Sequence, residues 1–246
     1  MHSRCKLGII GSIACLLLIA SGTAKTADDL SLVVSDANPI YANANETGIL
    51  DRLAHELFGR LGQKIRIIRL PSERALTLAN QGKVDGDLFR IAGLEKKFPS
   101  LRMIPEPWLE MSFVAFTLQE NLHISTWKDL FPLHIAFIKG WQIFEDNIKQ
   151  ARSIIKADNT QQLFAILKHR RVDAILYDAR QGEWIKQEMG ISAARIAGDP
   201  LIVSPIYAYL HSKHADRVPK IAAELSMMKR DGTWQRIMDA ENKSSP

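Results

Sequence analysis

The chain has 246 residues and a formal net charge of +5, with 24 % of its residues charged and 46 % hydrophobic. Lysines and arginines are interspersed with acids, which excludes the concentrated basic face of a nucleic-acid binder, and the apolar content can build one large domain or two smaller lobes. Both cysteines, Cys5 and Cys15, lie at the very start, so the rest of the chain has neither a disulfide nor a thiol nucleophile.

The first residues read as an export signal. "MHSRCK" is basic, "LGIIGSIACLLLIA" is an apolar run of 14 residues, and "SGTA" supplies small residues at Gly22 and Ala24. This order predicts a secretory signal peptide over residues 1–24, cleaved near Ala24, and hence a periplasmic protein. The apolar run is shorter than the roughly 20 residues that span a bilayer. An uncleaved anchor or a lipid on Cys15 is the rival reading, but Ser12 is a poor residue three places before such a cysteine, and the apolar run continues past it. Removal of the segment takes away Arg4 and Lys6 and no acid, which leaves a charge of +3.

The remaining elements alternate. "LSLVVS" (30–35) is a short apolar strand, and "GILDRLAHELFGRLG" places Ile49, Leu50, Leu53, Leu57, Phe58 and Leu61 at helical spacing with Gly62 as the stop. "KIRIIRL" is a strand, "SERALTLANQG" a helix with Ser72 as expected N-cap and Gly82 as terminator, and "KVDGDLF" a third strand. "SFVAFTLQEN" then links to a second round. There "LHIAFI" is a strand, "WQIFEDNIKQAR" a helix after Gly140, "SIIKA" a strand, and "NTQQLFAILKHR" a helix capped by Asn159 or Thr160. "VDAILYD" is a strand and "RQGEWIKQEMG" a helix. "SPIYAYLHSKH" reads as a strand, and "RVPKIAAELSMMKRDGTWQRIMDAE" as closing helices broken at Asp231-Gly232.

This β-α-β-α-β grammar, used twice, predicts parallel sheets covered by helices. One doubly wound domain fits the alternation. Two lobes fit better, because the order restarts after Leu118 and two long strand-like stretches are placed to cross between them. The repeated unit includes "GKVDGDLFR" in the first half and "RRVDAILYDA" in the second.

Four motifs, in order, carry a resemblance: "LANQGKVDGDLF", "EKKFPSLRMIPEPW", "RVDAILYD" and "KRDGTWQRI". From Leu30 to about Ala240 the chain resembles the periplasmic solute-binding proteins of family 3, the amino-acid receptors of ABC importers. The resemblance implies an α/β, two-lobe periplasmic-binding-protein fold of type II, each lobe a mainly parallel sheet flanked by helices, joined by a double crossing. Residues 25–117 with 204–246 form lobe 1 in this reading, and 118–203 form lobe 2. It implies a monomer that takes a small, amino-acid-like or carboxylate-bearing ligand and an inner-membrane ABC permease as partner, with no cofactor. It also implies that Asp178 grips a ligand ammonium. Lys97 stands where the family has a carboxylate-binding Arg, and Arg90 where small residues are common, so the anion-binding role passes to Arg90 or stays with Lys97.

In parallel α/β sheets ligands bind beyond the carboxyl ends of strands. Arg90 and Asp178 are each placed at such an end, one per lobe, and are expected to face one cleft from outside the core. Ser72 and Trp141 stand at helix starts, where free N–H groups attract anions. Tyr41, Trp108 and Tyr177 are aromatic candidates for the cleft wall, each equally suited to packing. Arg74 and Glu46 are further candidates, equally suited to a solvated surface.

Catalytic signatures are scarce. The chain has no G-x-S-x-G elbow, no H-E-x-x-H metal spacing and no P-loop, so neither metal nor cofactor is expected. A periplasmic dehydratase of cyclohexadienyl acids, built on the same scaffold, stays open with Glu46, Glu73 or Asp178 as acid or base. A sensory module for a membrane signalling partner is the third reading.

Overall fold

The computed structural model describes residues 29–36, 40–148 and 150–242; the expected signal peptide lies outside them. Among the described residues no helix is long and apolar enough to cross a membrane.

The first half runs β1 (Leu30–Ser35), α1 (Ile49–Arg60), β2 (Ile65–Leu70), α2 (Ser72–Asn80), β3 (Gly86–Arg90) and the short β4 (Leu101–Met103). Strand β5 (Leu109–Thr117) leads to the second half: β6 (His134–Ile138), α3 (Gln142–Asn147), β7 (Ser153–Ala157), α4 (Thr160–Lys168), β8 (Ala174–Asp178), α5 (Ala179–Glu188) and β9 (Arg195–Ile196). Strand β10 (Ile202–His211) returns the chain to α6 (Val218–Arg230) and α7 (Thr233–Asn242).

In each half three strands pair in parallel, the middle one first in the sequence: β2-β1-β3 and β7-β6-β8. The two sets are joined through β10 and β5, both antiparallel to their neighbours. The second part of β10 pairs with β3 and β4, while its first part, Ile202–Ile206, pairs with β5 over Leu109–Phe113. These are the two crossings of a two-lobe periplasmic-binding-protein fold. β1 shows why its run is apolar throughout: Leu32 and Val34 enter the core with α1, and Val33 enters a second cluster with Ala75, Leu76 and Ala79 of α2.

Two local expectations fail. The helix after Gly140 extends only to Asn147, because Ile148 turns into extended backbone and buries its side chain. The N-cap of α2 is Pro71, whose carbonyl accepts from Ala75 N at 2.9 Å, and Ser72 is the first helical residue. The Ser72 hydroxyl is thereby free for other partners.

Candidate functional site

The two Val-Asp units come first, since they set the strand ends. Asp85 Oδ2 accepts from Ser31 N at 2.8 Å, and Asp173 Oδ2 accepts from His134 N at 2.8 Å. Each aspartate thus pins the approach to its strand, β3 or β8, onto the beginning of the central strand. Burial raises the Asp85 carboxyl, but hydrogen bonds from Lys213, His214 and Ser31 N outweigh it and hold it at about 2.

Arg90 ends β3 and is buried, as is Asp178 at the end of β8; the expectation that both stay outside the core fails. Opposite Tyr207 and Tyr209 of β10 stand Arg90 and Asp87, with two residues between them on β3 against one on β10. The extra residue is a bulge, which breaks the period-2 alternation and brings Asp87 and Arg90 to the same side. Arg90 Nε donates to Asp87 Oδ2 at 2.7 Å, and Nη2 stands 2.7 Å from the same oxygen. Nη1 donates to Ser72 Oγ at 2.7 Å and Nη2 to the Ser72 carbonyl at 2.8 Å. Phe89 N donates to the other Asp87 oxygen at 3.2 Å. Burial pushes the Asp87 carboxyl up, and the guanidinium opposes that rise.

Arg90 lines a cavity of about 40 Å³ where the two halves meet. Ser72, Phe89, Met111, Phe113 and Trp141 share its wall. The halves touch beside it: Ser72 Oγ donates to the Gly140 carbonyl at 3.4 Å, and Lys139 pairs with Glu73 at 2.6 Å. Lys97 bonds Asp146 and donates to Gln142 Oε1 at 3.0 Å. Gly140 is required at this contact. Its φ is +82°, and a Cβ would lie 2.5 Å from Glu73 N.

Asp178 opens elsewhere. It caps α5, accepting from Gln181 N at 2.9 Å, and Tyr41 Oη donates to it at 3.4 Å. Burial raises its carboxyl to about 6 against the pull of those hydrogen bonds. Its chamber is a cleft of about 640 Å³, shared with Tyr41, Trp108, Ser112, Arg180 and Trp234. Met111 and Phe113 line the Arg90 cavity while Glu110 and Ser112 line the Asp178 cleft, as the alternation of β5 requires. The structure therefore does not bring Arg90 and Asp178 into one chamber.

The other candidates sort accordingly. Ser72 and Trp141 join Arg90, whereas Tyr41 and Trp108 join Asp178. Tyr177 is buried beneath the cavity wall, stacked on Trp141 with ring centroids 5.0 Å apart, and its hydroxyl lies 3.1 Å from Thr160 Oγ1. Lys97 is an exposed bridge between the halves. Arg74 is exposed on α2. Glu46 is exposed at a left-handed position (φ 54°) and paired with His55 at 2.7 Å. Sequence reasoning missed Asp87, Phe89 and Met111. A buried charge needs a partner, so an aspartate inside an apolar strand was a usable signal for Asp87; the two apolar residues carried none. Among the described residues no group of three or more His, Cys, Asp or Glu is placed to hold a metal.

No protein-family model matches the chain. An uncharacterized protein of Shewanella oneidensis is 26 % identical over 185 residues, covering 72 % of this chain and 69 % of that one. Among solved structures, a mutant of the arginine-binding protein ArgBP of T. maritima superposes with a TM-score of 0.75 at 18 % identity, covering 87 % of this chain and 95 % of that one. A histidine kinase sensor domain with similarity to periplasmic binding proteins reaches 0.79 at 11 % identity, over 87 % and 96 % of the chains. The GluR0 ligand-binding core in complex with L-glutamate reaches 0.75 at 14 %, over 87 % and 98 %. At these identities the likeness is one of fold, and the fold is that of binding proteins.

Proposed function

We propose that this protein is a periplasmic receptor of the family-3 solute-binding type, which closes two lobes on one small polar molecule at the Arg90 cavity. The lobes are residues 25–117 with 204–246 and residues 118–203. The observation that carries the reading is a buried guanidinium held rigidly by Asp87 and Ser72, on the wall of the cavity where the halves meet. A fixed donor array on a mainly apolar wall binds an acceptor group of a ligand without paying for its own ordering. Carboxylate and carbonyl oxygens are such acceptors. In an α-amino acid the ammonium would have to reach Asp178 on the other side of β5, so an amino acid is the weaker of the ligand classes implied by the family resemblance.

The permease of an ABC importer is the proposed partner. A sensory role for a membrane signalling protein is the second reading, favoured by the fold shared with a histidine kinase sensor domain. Binding without turnover is proposed for either. Of the acids and bases a dehydratase could use, Glu46 is paired with His55, Glu73 with Lys139, and Asp178 lies outside the Arg90 cavity.

A thermal-shift screen of the processed protein against carboxylates, amides, amino acids and small sugars tests the proposal. A ligand at a hundredfold excess over its dissociation constant adds on the order of 3 kcal/mol of stability. The ligand should be recovered unchanged, and its stabilisation should weaken in Arg90→Lys. Stabilisation equal in wild type and variant, or steady product formation, would overturn the reading.

A further inference from the structure

We infer that the Arg90 cavity selects an uncharged ligand: a compact apolar body ending in one hydrogen-bond acceptor such as an amide or ketone carbonyl, in preference to a carboxylate. This rests on the cavity being the ligand site. Three observations lead to it.

The first is charge. Asp87 is fully buried against Arg90, with its oxygen 2.7 Å from both Nε and Nη2, so the guanidinium already has its counter-ion. Among the described residues no other charged residue lines the cavity. A ligand carboxylate would add a second negative charge to a neutral pair in an apolar enclosure. Its desolvation would be offset only by a cation already engaged, and burying charge without a free partner is costly.

The second is geometry. An arginine has five N–H donors, and a carboxylate is best held by two parallel ones. Here Nε donates to Asp87, Nη2 donates to the Ser72 carbonyl and stands 2.7 Å from the same Asp87 oxygen, and one N–H of Nη1 goes to Ser72 Oγ. The second N–H of Nη1 is left for a ligand, among the described residues. A single donor matches a single acceptor.

The third is the wall. Phe89, Ile91, Met111, Phe113 and Ile206 make most of it apolar, with Ser35, Ser72 and Gln142 as its uncharged polar members. Such a space suits a short alkyl group beside the acceptor. Asp178, the residue that would answer an ammonium, is in the other chamber.

The test compares isosteres in the processed wild-type protein near neutral pH. Acetamide, propionamide and isobutyramide are titrated against acetate, propionate and isobutyrate by ligand-observed NMR. Each amide should bind at least about tenfold more tightly than its carboxylate, roughly 1.4 kcal/mol. In Asp87→Asn, which frees the charge of Arg90, the order should reverse. Should that variant fail to fold, the wild-type comparison decides alone. Carboxylates that bind more tightly in wild type and weaken in Arg90→Lys would overturn this inference while leaving the receptor reading intact. Binding by neither series would overturn this inference alone, and binding insensitive to Arg90→Lys would overturn both.

Discussion

Asp85 and Asp173 act alike, whereas Arg90 and Asp178, each five residues further on, act in opposite ways. Each of the first two accepts a backbone N–H of the neighbouring strand at 2.8 Å, and so fixes the parallel sheet of its half. Beyond them the halves part. The first ends its strand with a bulge that folds Arg90 back onto Asp87 and Ser72 at a cavity wall. The second ends without one, and Asp178 turns to cap α5 on the far side of β5. A repeated sequence unit thus specifies a repeated scaffold. What stands at the strand end is decided by a single inserted residue and by the helix that follows.

Removing Arg90 should have the largest effect. Arg90→Gln leaves the Asp87 carboxylate buried without a cation, a loss of about 3–5 kcal/mol in chemical denaturation. The double variant Arg90→Met with Asp87→Leu should recover most of it, because the pair is then replaced by apolar volume. Recovery of none of the loss would mean that the pair is not the source of the effect.

Asp178 should respond to pH instead. Its carboxyl is raised to about 6 in the folded protein from an ordinary 3.8, so folding favours the neutral acid. The stabilisation is complete below about pH 4 and is lost as pH rises through about 6. At about 1.4 kcal/mol per unit it amounts to about 3 kcal/mol. Asp178→Asn keeps the cap and cannot ionise. Urea melts between about pH 4 and 7 should show this slope in wild type and its loss in the variant. An identical slope in both would place the titration on another residue.

How far the sequence reveals this contrast follows from the range of its signals. Each of the main strands and helices was legible, because apolar periodicity and glycine stops act locally. So was the restart that gives two lobes. Ser72 was misread as a cap, since a serine after Pro71 carries the same local signal whether it caps or faces a guanidinium. The partition of Arg90 from Asp178 was illegible, because it depends on a bulge in β3 and on the alternation of β5, neither of which leaves a mark in composition. The expectation that both lie outside the core failed because partners close over them: Asp87 and Ser72 over Arg90, and Gln181 N and Tyr41 over Asp178.

The Val-Asp pair should give intermediate effects of similar size. Asp85→Ala and Asp173→Ala each strand a backbone N–H, which costs about 1–3 kcal/mol by thermal or chemical denaturation. A loss confined to one of them would break the equivalence of the halves. The smallest effects belong to the bridges beside the cavity. Lys97→Ala and Lys139→Ala remove exposed ion pairs, and each should leave the unfolding midpoint nearly unchanged, more so at high salt.

The central claim is that Arg90 anchors a ligand between the lobes, and calorimetric titration of the screened ligand into wild type and Arg90→Lys tests it most directly. Lysine keeps a positive charge beside Asp87 and removes the planar array of donors. Affinity should fall by about tenfold or more while the unfolding transition moves only slightly. An unchanged affinity in Arg90→Lys, with affinity lost instead in Asp178→Asn, would contradict the claim and place the ligand in the other chamber.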